Sequence, residues 1–250
     1  MSNPLGFGTD VNDEDKAAFM MAIHGLDKTL GLDLILHTPG GGLTAAESLV
    51  DYLRRIFGSD IRAIVPHMAM SAGTMIACSC KSIVMGKHSN LGPIDPQLGG
   101  LPAAAVKKEI ERAITEIAAD PNRMHFWQFV LGKYDPTFVS QCEQVVEMAE
   151  KFVHDRLLDN MFAGDPDAHA KADSIVQGLS DVAKNKAHDR HIHIDACEAL
   201  GLKIERLEDD QPFQEATLTV HHCYMHSLGV SGATKIVENQ NGAAFVKIPS

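Results

Sequence analysis

Two short pieces of this chain carry residue types that can act on a carbonyl. His37-Thr38-Pro39-Gly40-Gly41-Gly42 follows the apolar run Leu32–Leu36, and Met70-Ser71-Ala72-Gly73 follows the apolar run Ile61–Val65. A glycine turn presents backbone N–H groups, and a serine where a helix begins sets a hydroxyl beside further unpaired N–H groups. Attack by the serine, with the resulting oxyanion held by those donors, is the chemistry such a pair permits. Ser71 is the candidate nucleophile, and the N–H groups of Ala72 and of Gly40 or Gly41 are the candidate oxyanion donors. Plainer roles stay open for both pieces. Serine is a favoured helix N-cap, and a glycine turn after a strand also binds phosphate or allows close packing. Neither Gly-x-Gly-x-x-Gly nor a Walker pattern is present, and Ala69 stands where Gly-x-Ser-x-Gly needs its first glycine.

The surrounding pattern says how these pieces are positioned. Asn12-Asp13-Glu14-Asp15 opens a helix expected to run to about Leu30. Leu32–Leu36, Ile61–Val65 and Ile83–Met85 are of strand length, whereas Thr44–Phe57 repeats Ala45, Leu49, Leu53 and Ile56 near helical spacing. Ala72–Cys80 is a helix of small residues. This tempo implies right-handed βαβ crossovers, a parallel sheet, and a ligand site beyond the carboxyl ends of the strands. The glycine turn and Ser71 both fall at that end.

Beyond Gln97 the pattern becomes helical: Pro102–Ala118, Pro121–Leu131, Pro136–Phe162 and, after a turn at Gly164–His169, Ala170–Lys184. The polar stretch Asn185–His193 leads to a helix at Ile194–Leu200 closed by Gly201, a strand at Leu202–Leu207 and a helix at Phe213–Leu228. Thr234–Glu238 and Ala243–Ile248 flank Asn241-Gly242 as a hairpin. The reading is one α/β domain over residues 1–250, with a core at about 12–100, a helical insertion at about 101–184 and a closing segment at about 185–250.

Composition narrows the classes. A net charge of −11 argues against nucleic acid or an anionic membrane as partner. No run approaches the roughly 20 apolar residues that span a bilayer, and Met1–Asp15 has neither a basic leader nor an apolar core of a signal peptide. Five cysteines with no Cys-x-x-Cys pair fit reduced thiols in a cytoplasm.

Leu34-Ile35-Leu36-His37-Thr38-Pro39-Gly40-Gly41-Gly42, Met70-Ser71-Ala72-Gly73 and Gly92-Pro93-Ile94-Asp95-Pro96 together resemble the serine dehydrogenase proteinase family. That family groups with signal peptide peptidase A and the Clp protease proteolytic subunit in the Clp/crotonase-like fold. The strong resemblance covers about Leu32–Gln97, with further likeness at His188–Leu207 and His221–Asn239. It implies repeated ββα units around a parallel sheet, Ser71 as nucleophile, Gly41 with Gly40 as the first oxyanion donor and Ala72 as the second. It also implies a peptide or protein substrate bound in extended form, a homo-oligomer, and no metal or organic cofactor. Two departures stand out. The loop after the strand that follows the serine helix reads Gly92-Pro93-Ile94-Asp95, without the histidine base of Clp-type enzymes, and an opening strand usual in the fold is missing or replaced.

The base is therefore sought elsewhere, and a lysine suits the signal-peptidase pattern if desolvation lowers its pKa. Ala103, Lys107, Ile110, Ile114 and Ile117 share one face of the Pro102–Ala118 helix, which makes Lys107 the first choice over Lys108. Asp95 either orients a base or bonds its own turn, and His88 is a third candidate. His188, His191 and His193 form a dense patch, and His222 and His226 sit at i, i+4, but no His-Glu-x-x-His motif accompanies them, so a metal is not expected. The expectation is a serine peptidase with a Ser71–Lys107 dyad. A crotonase-type acyl-CoA enzyme and a degenerate, oligomeric binding scaffold are the competing readings.

Overall fold

The computed structural model describes residues 8–181 and 188–248. Helix α1 (Asp13–Ala22) begins with a reciprocal cap: the Asn12 side chain accepts the Glu14 N–H at 3.0 Å, and the Asp15 carboxylate accepts the Asn12 N–H at 2.8 Å. It ends well short of Leu30 because Gly25, at φ +75°, turns the chain. Strand β1 (Leu32–Ile35), helix α2 (Leu43–Phe57) and strand β2 (Ile61–Val65) form the first parallel crossover. The two-residue strand β3 (Met68–Ala69) leads to helix α3 (Ala72–Cys78), followed by strands β4 (Ser82–Met85) and β5 (Asn90–Leu91).

A short hairpin, β6 (Gln97–Leu98) with β7 (Leu101–Pro102), introduces the helices α4 (Ala103–Ala119), α5 (Met124–Leu131) and α6 (Pro136–Arg156). Helix α6 runs on as a π-helical turn at Leu157–Met161, where buried Asn160 donates to the Ser79 carbonyl at 2.9 Å. Helix α7 (Ala168–Ser180) follows; its expected extension to Lys184 and the start of the polar stretch, 182–187, lie outside the described residues. Then come β8 (Ile192–His193), α8 (Ile194–Leu200) with Gly201 as left-handed cap, β9 (Ile204–Arg206), α9 (Gln211–Ser231), and the antiparallel hairpin β10 (Lys235–Glu238) and β11 (Ala244–Lys247).

The main sheet has the order β1-β2-β4-β9, and each neighbouring pair is parallel. Alternate residues of its strands face opposite layers, and both faces are covered. Ala63, Val65, Ile83 and Met85 pack into the large core with α2, α3, α6 and α7. Ile64 and Val84 instead meet Leu207 and Phe213 at the start of α9.

A second set of short strands lies beyond the sheet. β3 pairs with β5 in parallel and β5 with β8 antiparallel, and single bridges join Thr38 to Ala69 and Val11 to Gly41. The C-terminal hairpin is fastened to α1 by Lys235, whose ammonium contacts the Asp15 carboxylate at 2.8 Å with both side chains nearly buried.

Helix α4 departs from the sequence reading in a way that matters. Its buried residues are Ala103, Val106 and Ala113, whereas Lys107 is exposed and Ile114 is 65% exposed. The packing stripe shares Ala103 and the half-buried Ile110 with the expected face but is offset from it towards Val106 and Ala113, which leaves Lys107 and Ile114 outside.

Candidate active site

The glycine turn is drawn out as a strand between two neighbours. On one side Thr38 N–H donates to the Met68 carbonyl and Met70 N–H to the Thr38 carbonyl, both at 3.0 Å. On the other, Val11 N–H donates to the Gly40 carbonyl at 2.7 Å and Gly42 N–H to the Val11 carbonyl at 2.8 Å. A Cβ on Gly41 would lie 2.2 Å from the Val11 nitrogen, and one on Gly40 would lie 2.7 Å from the Ser71 Cβ. These two positions require glycine because other backbone passes through the space of a side chain. The Gly40 N–H is engaged by the Thr38 hydroxyl at 3.1 Å. The N–H groups of Gly41 and Ala72 make no hydrogen bond among the described residues.

Ser71 sits at φ +50°, ψ −113°, and is the one non-glycine residue with positive φ among those described. Its side chain caps no backbone group of α3, so the plain N-cap role is not what its geometry serves. A non-glycine residue held in this region stores about 1–3 kcal/mol, which the surrounding fold must hold in place. Buried Thr74 supplies part of that hold. Its hydroxyl lies 2.8 Å from the Ala69 carbonyl and 3.0 Å from the Gly92 carbonyl, and it accepts the Gly92 N–H at 2.9 Å. The serine turn is thereby tied to the loop that carries Asp95.

Asp95 is 5% exposed, and its Oδ1 lies 3.0 Å from His188 Nδ1. A carboxylate only accepts, so Nδ1 is the donor in this pair, and in the neutral ring Nε2 is left with the lone pair. The hydrogen bond to Asp95 raises the His188 pKa above its ordinary value, outweighing the opposite effect of burial. His188 and Ser71 line the same cavity, of about 330 Å³, together with Gly41, Gly42, Ala72 and Pro96. Leu43, Met75 and Val145 give the cavity apolar walls. No hydrogen bond joins the Ser71 hydroxyl to His188 among the described residues.

The structure thus brings together Ser71, Ala72, Gly40, Gly41 and Asp95 from the sequence candidates, and adds His188. It does not bring Lys107, which is exposed and absent from the cavity wall. Lys108 points instead to Asp181, 3.7 Å away, and His88 is exposed outside the cavity. Thr74 had no sequence signal beyond its place in a helix of small residues. His188 stood in the histidine patch weighed for metal, and its partner lies 93 positions away in the chain.

A covered parallel sheet with a glycine turn and a strained serine at its carboxyl end is a ClpP-like α/β architecture. The chain belongs to the family of ClpP-like SDH-type serine proteinases, whose profile matches residues 9–215. Ser71, Asp95 and His188 all fall within that match. The chain is also 28% identical to the uncharacterized protein MJ0137 of Methanocaldococcus jannaschii over 234 residues, 92% of this chain and 72% of that protein. It is 28% identical to the uncharacterized protein MJ1495 of the same organism over 191 residues, 76% of this chain and 58% of that protein. No helix among the described residues is long and apolar enough to cross a membrane.

Proposed function

We propose that this protein is a serine endopeptidase acting through Ser71, His188 and Asp95. The observation that carries the reading is the bond from His188 Nδ1 to buried Asp95 in the cavity that Ser71 lines. His188 Nε2 takes the proton of the Ser71 hydroxyl as Oγ attacks the peptide carbonyl, and the Gly41 and Ala72 N–H groups receive the oxyanion. As the tetrahedral species collapses, His188 returns the proton to the leaving amine, and an acyl-enzyme remains on Oγ. Water, deprotonated by the same imidazole, then releases the acid. The Ser71–His188 bond forms when substrate closes the site, since such bonds often tighten only in the complex.

This reading moves the base from Lys107 to His188. Lys107 is exposed and off the cavity wall, whereas His188 lines the cavity and has a carboxylate to orient it. Gly40 serves as the residue that lets the turn pass Ser71, with Gly41 as the donor. The apolar walls of Leu43, Met75 and Val145 favour substrates with an apolar side chain before the scissile bond. The homo-oligomer implied by the resemblance remains part of the reading, and Phe126 and Phe129, exposed on α5, are surface that an assembly would cover.

The test is a fluorophosphonate probe with mass mapping of the adduct. Ser71 is expected to be labelled in the wild type and in Lys107→Ala, and not in Ser71→Ala or His188→Ala. Labelling that survives His188→Ala and disappears in Lys107→Ala would restore the lysine dyad. Cleavage of peptide substrates carrying Leu or Met against Asp or Lys before the scissile bond checks the walls.

A further inference from the structure

Away from the peptidase cavity, three histidines from three elements converge. His37 follows β1, His67 lies between β2 and β3, and His221 is on α9. One ring nitrogen from each lies within 4.8 Å of the other two. The His37 and His67 rings stack with centroids 5.3 Å apart, and His221 lies 5.0 Å from His37 and 6.0 Å from His67. His37 Nδ1 is buried and has no hydrogen-bond partner. An orphaned buried nitrogen costs about 1–3 kcal/mol, so a group that satisfies it has a physical advantage.

We propose that His37, His67 and His221 form a binding site for a divalent transition metal of the zinc type. Three imidazoles without a carboxylate or thiolate suit zinc, cobalt, nickel or copper rather than magnesium or calcium, which demand oxygen ligands. Tetrahedral zinc with bonds of about 2.0–2.1 Å sets its nitrogens about 3.3 Å apart, so small ring rotations close the trio around an ion. His67 is exposed, which gives the ion a path in and leaves its fourth position to water. Burial and the neighbouring histidines lower the pKa of both His37 and His221 to about 4, so each is neutral, as ligation requires, at ordinary pH.

The placement gives the ion a structural consequence. His37 immediately precedes Thr38, whose hydroxyl holds the Gly40 N–H, and His67 lies on the segment that leads into Ser71. His221 lies beyond the family match, which ends at residue 215. The ion would fasten α9 to the two segments that carry the oxyanion turn and the serine. The inference stands on this trio and does not depend on the peptidase reading.

The test uses the untagged full chain, stripped with EDTA and titrated with cobalt(II) while visible absorption is recorded, followed by zinc competition. One equivalent of cobalt with the strong d–d bands of a four-coordinate ion is expected, as is a higher melting temperature with zinc than with EDTA. His67→Gln changes an exposed side chain, and His221→Gln a buried one. Loss of a ligand should weaken binding by more than about 100-fold, beyond the 10–100-fold that groups supporting a ligand contribute. His226→Gln, exposed on the same helix, should bind as the wild type does. The site is overturned if the wild type takes up no stoichiometric cobalt or zinc, or if His67→Gln binds as tightly while His191→Gln does not.

Discussion

His188 faces a buried carboxylate, whereas His37, His67 and His221 face chiefly one another. The same side chain is thereby given opposite tendencies. Asp95 raises the His188 pKa through its hydrogen bond, with its negative charge adding to it, and so would stabilise the imidazolium of the proposed mechanism. Burial is the largest influence on His37, and the two neighbouring imidazoles add to it, so protonation there is opposed. The first arrangement suits moving a proton, and the second suits lending a lone pair to a cation. Histidine content says nothing about which is which. The presence or absence of one acid within 3 Å decides it.

This contrast can be broken by experiment, beginning with the largest expected effect. Ser71→Ala should lower kcat by about 10⁶-fold, the scale on which removal of a triad serine acts. Asp95→Asn should cost about 10⁴-fold in kcat, as loss of the orienting carboxylate does in other triads. It should also move the acid limb of kcat/KM to lower pH, because the main cause of the raised His188 pKa is gone. In the wild type, activity should rise as pH climbs through a His188 pKa above about 6.5, the ordinary value. The stability that protonated His188 gains from Asp95 has the opposite sense. It is complete below the unfolded value and fades as pH rises through the folded one, which urea denaturation at several pH values reads directly.

Cobalt affinity should be unaltered in Asp95→Asn, since no carboxylate belongs to the His37 trio; a coupled loss would merge the two sites into one. The smallest effect concerns strain. Ser71→Gly should melt above Ser71→Ala by the equivalent of about 1 kcal/mol, because glycine accepts φ +50° and alanine does not.

Much of the sheet was legible because periodicity reports burial directly. Ile61–Val65 and Ile194–Leu200 match their expected limits, and the glycine turn and Ser71 do lie at the carboxyl end of the strands. The first helix ends at Ala22, short of its expected limit, since nothing before Gly25 distinguishes a chain reversal from a helical glycine. The two-residue strands β3, β5 and β8 have no periodicity to read, for they exist only through their partners. Apolar spacing puts Lys107 on a face with Ile114 and Ile117, whereas the packing face of α4 runs through Val106 and Ala113 beside the shared Ala103. His188 was legible as a histidine but not as a partner of Asp95, because a pairing across 93 positions leaves no local spacing. The proposed chain order serine, aspartate, histidine differs from the Clp-type pattern, in which the histidine lies in the loop after the strand that follows the serine helix. Geometry defines such a site, and sequence order does not.

The bridge from Val11 to Gly41 has a further meaning. Two backbone bonds, from Val11 N–H and to the Val11 carbonyl, align the turn whose Gly41 lines the cavity. Neither bond depends on the identity of the Val11 side chain, and neither belongs to a reacting residue. The alignment of the turn thus rests on backbone bonds from a segment that supplies no candidate reacting side chain, held in place by the burial of Val11 in the main core.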